Sequence, residues 1–260
     1  MSKCVKHIKL FFIRHGFSCA NYHKRKKSLI KHHIFIRDPK LTNVGIDDLT
    51  NYKSKIDKLI PNPTYVLSSN LLRSIQTARL LFPEKNVIVS PYIGETGFGL
   101  DNKPSAPSNQ LRYVSNVNYK YLDESGEKSV SELDRLFKNR SKDYDKPDFG
   151  KFLKWLDRVV LEKGDGDVNL VVVGHSNFMR KFLIDEKMAE KKIKGKPRNA
   201  GVVEINLCKG ENGVIYQYKE GCPAIKSFED EGVIYNYPCY GVRLIGIEEP
   251  DVRGGRIVNC

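Results

Sequence analysis

The chain has no apolar stretch near the roughly 20 residues a membrane helix needs, so no membrane partner is expected. Its N-terminus carries lysines, but the apolar run there, Ile8 to Ile13, is too short for a secretory signal. An intracellular, cytoplasmic protein is expected. The six cysteines (Cys4, Cys19, Cys208, Cys222, Cys239, Cys260) form no Cys-x-x-Cys pair, which argues against a structural zinc site. Free thiols in a reducing compartment are the expectation. No cluster of His and Asp has metal-ligand spacing, so neither metal nor cofactor is expected. No internal repeat is present, and basic residues do not alternate with aromatics as in RNA-binding surfaces.

The balance of charge is strongly positive. The 44 Lys and Arg outnumber the 31 Asp and Glu to give a net charge of +13, which raises the local concentration of anionic ligands. Such a surface also permits non-specific contact with nucleic acid. The densest run is His23-Lys24-Arg25-Lys26-Lys27, continuing to Lys31-His32-His33. An isolated run of this kind is ordinarily a solvated loop. Here it follows Arg14-His15-Gly16 by a few residues and is expected to rim the same site.

Apolar periodicity gives alternating strands and helices. Strands are predicted at Ile8–Ile13, Tyr65–Leu67, Val87–Val89, Leu170–Val173 and Val202–Leu207. Helices are predicted at Ile46–Ile60 behind an N-cap at Thr42, at Leu71–Phe82, at Phe149–Leu161 and from Phe178 to about Lys192. The run Leu170-Val171-Val172-Val173 is apolar throughout, as in a strand buried on both faces. The alternation implies one α/β domain over 1–260 with a mainly parallel sheet. Residues 97–150, rich in Asn, Ser, Pro, Lys and Asp, read as an insertion or lid, and about 208–260 as a C-terminal extension.

Two of the predicted strands end in a histidine. Arg14-His15-Gly16 closes the first, and Gly174-His175-Ser176 closes the strand from Leu170. The carboxyl edge of a parallel sheet is where α/β proteins bind ligands. An arginine beside an imidazole at that edge suits an anion, phosphate above all.

The longer strings carry a resemblance. They are Arg14-His15-Gly16-Phe17-Ser18-Cys19-Ala20-Asn21, Leu41-Thr42-Asn43-Val44-Gly45, Leu67-Ser68-Ser69-Asn70-Leu71-Leu72-Arg73-Ser74-Ile75-Gln76-Thr77-Ala78 and Gly174-His175-Ser176-Asn177-Phe178-Met179-Arg180. Together and in this order they resemble the histidine phosphatase superfamily, the phosphoglycerate mutase-like family. The resemblance covers about residues 8–95 and 168–207. It implies a three-layer α/β/α sandwich, a metal-independent phosphoryl transfer and a small phosphorylated substrate.

It also implies roles. His15 would be the nucleophile that becomes a phosphohistidine, with its other ring nitrogen donating to a backbone carbonyl. Arg14 and Arg73 would hold phosphoryl oxygens, helped by backbone N–H groups at the start of the helix bearing Arg73. His175 would donate to the transferring group, and Asn21 would be a neutral donor to phosphate. Ser18 and Asn177 are further candidates for substrate contact, with turn and N-cap roles as the alternative. Family position points to Glu95 as general acid, with Asp101 as the other carboxyl in the same loop. The segment Ile93-Gly94-Glu95-Thr96-Gly97-Phe98-Gly99 departs from the family's usual pattern there, and the mutase string Glu-Arg-His-Tyr-Gly is missing. A phosphomonoesterase acting on a small, polyanionic metabolite is therefore placed ahead of a mutase and of a non-catalytic phospho-ligand binding module.

Overall fold

A computed structural model describes residues 4–25, 36–97, 99–123, 125–138, 146–163, 166–179, 198–210, 215–217, 243–245 and 258–260. Among the described residues eight strands form one sheet: β1 (Cys4–Arg14), β2 (Tyr65–Ser69), β3 (Val87–Ser90), β4 (Val117–Asn118), β5 (Val168–Gly174), β6 (Val202–Gly210), β7 (Ile215–Gln217) and β8 (Arg243–Ile245). Their order is β4-β3-β2-β5-β1-β6-β7, with β8 also paired to β6. From β4 to β1 every pairing is parallel, while β6 returns antiparallel to β1. The sheet is mainly parallel, as the alternation of strands and helices implies.

The helices are α1 (Cys19–Arg25), α2 (Asn43–Leu59), α3 (Leu72–Leu81), α4 (Pro107–Gln110), α5 (Val130–Lys138), α6 (Phe149–Val159) and the single turn α7 (Ser176–Phe178). The central strands are buried on both faces, and successive side chains serve two cores. Phe11, Ile13, Val171 and Val173 pack with Leu49 and Ile56 of α2 and Ala78 and Leu81 of α3. Leu10, Phe12, Leu170 and Val172 pack with Leu133 of α5, Phe152, Trp155 and Leu156 of α6, and Phe178. Two such layers on one sheet make the three-layer sandwich.

Local contacts seat the helices. Thr42 caps α2: its hydroxyl accepts from the Gly45 amide at 3.0 Å and donates to the Phe17 carbonyl at 3.1 Å. A Cβ on Gly45 would lie 2.1 Å from that same carbonyl oxygen. The Leu-Thr-x-x-Gly string thus exists because α2 lies directly on the loop that follows β1. Gly174 is constrained in the same way, since a Cβ there would meet the Phe12 ring at 2.4 Å.

Within residues 97–150, read as an insertion or lid, Tyr119, Leu122 and Leu133 are buried in the core and β4 extends the sheet beside β3. Tyr119 and Leu122 stand singly among polar residues, whereas Val130, Leu133, Leu136 and Phe137 recur at helical spacing along α5. Cys4 and Cys208 are not free thiols but a disulfide with Cα atoms 5.7 Å apart. Their pairing follows from β1 starting at Cys4 and β6 running to Gly210, which brings the strand ends side by side. Cys19 and Cys260 are free. The predicted helix beyond Met179, the basic run 26–33 and most of the tail after 210 fall outside the described residues. No helix among the described residues is long and apolar enough to cross a membrane.

The packing at Gly45 gives a contrast that thermal or urea unfolding can read. Gly45→Ala must displace backbone and should cost more than about 3 kcal/mol. Gly150→Ala, in the first turn of α6, meets only an ordinary contact at 3.5 Å and should be neutral or slightly stabilising. Equal costs at the two sites would contradict this account.

Candidate active site

Parallel pairing of β1 with β5 sets Arg14 opposite Gly174, so both strands run out together. The His15 amide donates to the Gly174 carbonyl at 2.9 Å. The two imidazoles that follow sit with ring centroids 5.2 Å apart, and both are almost completely buried. Nδ1 of His15 lies 2.7 Å from the Gly16 carbonyl oxygen, an acceptor only, so Nδ1 carries the proton. The lone pair is then on Nε2, where it accepts from Nε of Arg73 at 3.2 Å. His175 presents Nε2 to the hydroxyls of Ser69 (2.8 Å) and Ser74 (3.3 Å), and its buried Nδ1 has no hydrogen bond.

Burial, followed by the charges of Arg73 and Arg14, holds the His15 imidazole well below its ordinary range. His175 is lowered likewise, by burial first and then by Arg73, His15 and Arg14. Both rings are neutral at physiological pH, and a neutral imidazole retains a nucleophilic lone pair.

Arg73 leaves the first turn of α3 and is 3 % exposed. Besides reaching His15, its Nη1 donates to the Asp101 carbonyl at 2.6 Å and its Nη2 to Asn102 Oδ1 at 3.3 Å. Arg14 is also buried and close enough for its charge to act on His15, His175 and Glu95. Glu95 lies within the fields of Arg73, Arg14 and Lys24, yet burial outweighs them and raises its carboxyl above the usual range. One of its oxygens accepts from the Thr96 amide at 2.8 Å. Asp101 pairs with Lys24 at 3.3 Å.

Other expected contacts are placed differently. Ser18 caps α1: its hydroxyl donates to Asn21 Oδ1 (3.0 Å), which also accepts from the Ser18 amide (3.1 Å). The Asn21 amide returns to the Ser18 hydroxyl at 3.4 Å, a reciprocal capping box with Asn in the usual Glu or Gln position. The Asn21 oxygen is therefore turned inward, leaving its Nδ2 as the group that can donate outward. Asn177 donates to the Thr96 carbonyl at 3.1 Å and so ties the Glu95 loop to the His175 turn. At the start of α3 the Leu71 amide donates to Ser69 Oγ at 3.4 Å and the Leu72 amide to Asp38 Oδ1 at 2.7 Å.

Several residues at the site escape sequence reasoning. Asn199 donates through Nδ2 to the carbonyls of His15 (2.8 Å) and Gly16 (3.1 Å) and to Asn21 Oδ1 (3.2 Å). It precedes β6, far from any motif, and only the antiparallel return of that strand delivers it. Thr77 accepts from the Gly16 amide at 2.9 Å and donates to the Arg73 carbonyl at 2.7 Å, which locks α3 to the His15 loop. Asp38 and Asn102 have no sequence signal beyond their polarity. No group of three or more His, Cys, Asp or Glu among the described residues is placed to hold a metal ion.

The sequence matches no protein-family model and no curated protein. Solved structures do match. A phosphoglycerate mutase from Bacillus anthracis is 19% identical, over 82% of this chain and 92% of that one, with a TM-score of 0.47. The ecdysone phosphate phosphatase from Bombix mori, solved with tungstate, is 12% identical over 88% and 98%, with a TM-score of 0.45. A phosphoserine phosphatase from Entamoeba histolytica, solved with 3-phosphoglyceric acid, is 17% identical over 85% and 98%, with a TM-score of 0.43.

The two depressed imidazoles link protonation to folding. Below their unfolded value near 6.5 the unfolded chain binds protons that the folded chain refuses, so their contribution is present above that pH and lost as pH falls. Each histidine should remove up to about 1.4 kcal/mol per pH unit below that point. The raised carboxyls of Asp38 and Glu95 act in the opposite sense, because the folded state takes up their protons first. Nitrogen NMR should find the His15 and His175 rings neutral at pH 6, with His15 in the Nδ1–H form. Titration of either ring near 6.5 would contradict this geometry.

Proposed function

We propose that this chain is a phosphomonoesterase of the histidine phosphatase type, working through a phosphohistidine on His15. The observation that carries the reading is the neutral His15 ring, its Nε2 lone pair set among Arg14, Arg73 and His175. A phosphoryl group seated there replaces Nε2 as the partner of the Arg73 Nε–H. Arg14 and Arg73 hold its equatorial oxygens through planar forks of donors. A proton on His175 Nδ1, with Nε2 accepting from a serine hydroxyl, gives a further donor to the same oxygens.

The Nε2 lone pair forms a bond to phosphorus as the ester P–O bond breaks. The leaving oxygen takes the Glu95 proton. The imidazolium that results keeps its Nδ1–H on the Gly16 carbonyl, which spreads the new positive charge. Water then attacks phosphorus and gives a proton to the Glu95 carboxylate. The P–N bond breaks, its electron pair returns to Nε2, and inorganic phosphate leaves. The proposed substrate is a small phosphorylated metabolite with further negative charge. Lys24 at the site and the net charge of +13 support that choice.

Kinetics separate the roles. His15→Ala should abolish phosphate release from p-nitrophenyl phosphate, and wild-type activity should survive EDTA. Glu95→Gln should cost roughly 10²–10⁴-fold with an alkyl phosphate, whose oxygen needs a proton to leave. In kcat/KM, which reads the ester-cleaving step, the cost should be far smaller with p-nitrophenyl phosphate, whose leaving group needs none, while the shared water attack lowers kcat on both substrates. Equal losses of kcat/KM on both substrates would remove Glu95 as the acid. Interconversion of 2- and 3-phosphoglycerate faster than phosphate release would replace the hydrolase with a mutase.

A further inference from the structure

Asp38 lies outside every motif of the site, yet it has an unusual environment. It is 4 % exposed and has a backbone φ of +49°, a region that Asp enters more readily than most residues. Its carboxylate accepts three hydrogen bonds from two separate parts of the chain. Oδ1 takes the Leu72 amide at 2.7 Å, and Oδ2 takes the Ser105 amide at 2.8 Å and Gln110 Nε2 at 2.7 Å. The Asp38 amide donates to the Leu100 carbonyl at 3.3 Å.

Those partners are the two supports of Arg73. Leu72 is the first residue of α3, immediately before Arg73, and α3 has no side-chain cap of its own at Leu71. Asp38 supplies from outside the helix the acceptor and negative charge that an N-terminus favours. The segment Leu100–Gln110 carries the Asp101 carbonyl and Asn102 Oδ1 that accept from Nη1 and Nη2 of Arg73. Gln110 extends the knot, donating also to the Asn70 carbonyl (2.8 Å) and accepting from the Tyr119 hydroxyl (2.9 Å). One buried carboxylate thus fixes both the helix that carries the guanidinium and the strand of backbone that grips it.

We infer that Asp38 is the positioning residue of the anion site, holding the Arg73 guanidinium in register with His15 Nε2 without touching the substrate. The inference rests on the phosphoryl-binding role given to Arg73 above. In Asp38→Asn the amide presents two N–H donors to a site already filled by the donors of Leu72, Ser105 and Gln110. The knot loosens, and the guanidinium loses its fixed angle to the phosphoryl group. Misplacement on the ångström scale is enough to cost one to two orders of magnitude.

The test uses the full chain and inorganic phosphate as the probe. Asp38→Asn should weaken phosphate binding about tenfold or more and lower kcat/KM on p-nitrophenyl phosphate by at least as much. The Arg73 Nε–H resonance, assigned through Arg73→Lys, should be protected from exchange in the wild type and lost in Asp38→Asn. Asp148→Ala removes the cap of α6 and about 1 kcal/mol of stability, and should move neither readout. If Asp38→Asn does not fold, Gln110→Leu cuts the tie to the Leu100–Gln110 segment and should still weaken phosphate binding several-fold. Unchanged phosphate affinity with a protected Nε–H in the folded variants would overturn the inference. If the wild type bound no phosphate, the reading of Arg73 would fail instead, and the Nε–H signal would still decide whether Asp38 positions it.

Discussion

The in-register parallel pairing of β1 with β5 is the constraint on which everything else depends. It ends both strands at the same level, Arg14 against Gly174, and so delivers His15 and His175 to one point. A slip of one residue would turn each strand's inward set outward and would separate the imidazoles. The register is held by the two-faced burial of Leu10, Phe12, Leu170 and Val172 on one side and Phe11, Ile13, Val171 and Val173 on the other. Burial of those eight side chains is therefore as much a condition of the chemistry as any polar contact.

Around that point the protein uses hydrogen bonds to fix direction. His15 is oriented by its own neighbour's carbonyl, and its loop is held from three sides by Thr42, Thr77 and Asn199. None of these residues carries charge. Arg14, Arg73, Glu95 and Asp101 meet in a buried setting where Coulomb forces are strong and orientation is decisive, with the exposed Lys24 at its edge. Burial is the first cause of the shifts of His15, His175 and Glu95, ahead of the neighbouring charges.

The fold was legible wherever hydrophobic period decided structure. All five predicted strands lie in the sheet, and the helices expected from Ile46, Leu71 and Phe149 are present with ends shifted by a few residues. What could not be read was set by long-range contact. Tyr119 and Leu122 enter the core from a segment whose composition looks like a loop. Cys4 meets Cys208 only because two strands outrun their apolar centres. At the site, residues in short motifs (Arg14, His15, Arg73, His175) were visible as candidates, and the structure gathers them. Asn199, Asp38 and Asn102 were invisible because a lone polar residue acquires its meaning only from the partners that folding supplies. Ser18 shows the converse: it stands inside a motif, yet its hydroxyl is spent on capping α1.

The central claim is that a phosphoryl group passes through Nε2 of His15. Rapid quench of the full chain with ³²P-labelled acyl or aryl phosphate, followed by digestion under alkaline conditions and mass spectrometry, tests it most directly. The account predicts an acid-labile, alkali-stable phosphate on the peptide containing His15, absent from His15→Ala and accumulating in Glu95→Gln with the aryl substrate. Turnover of the same substrate with no label on His15 would contradict it.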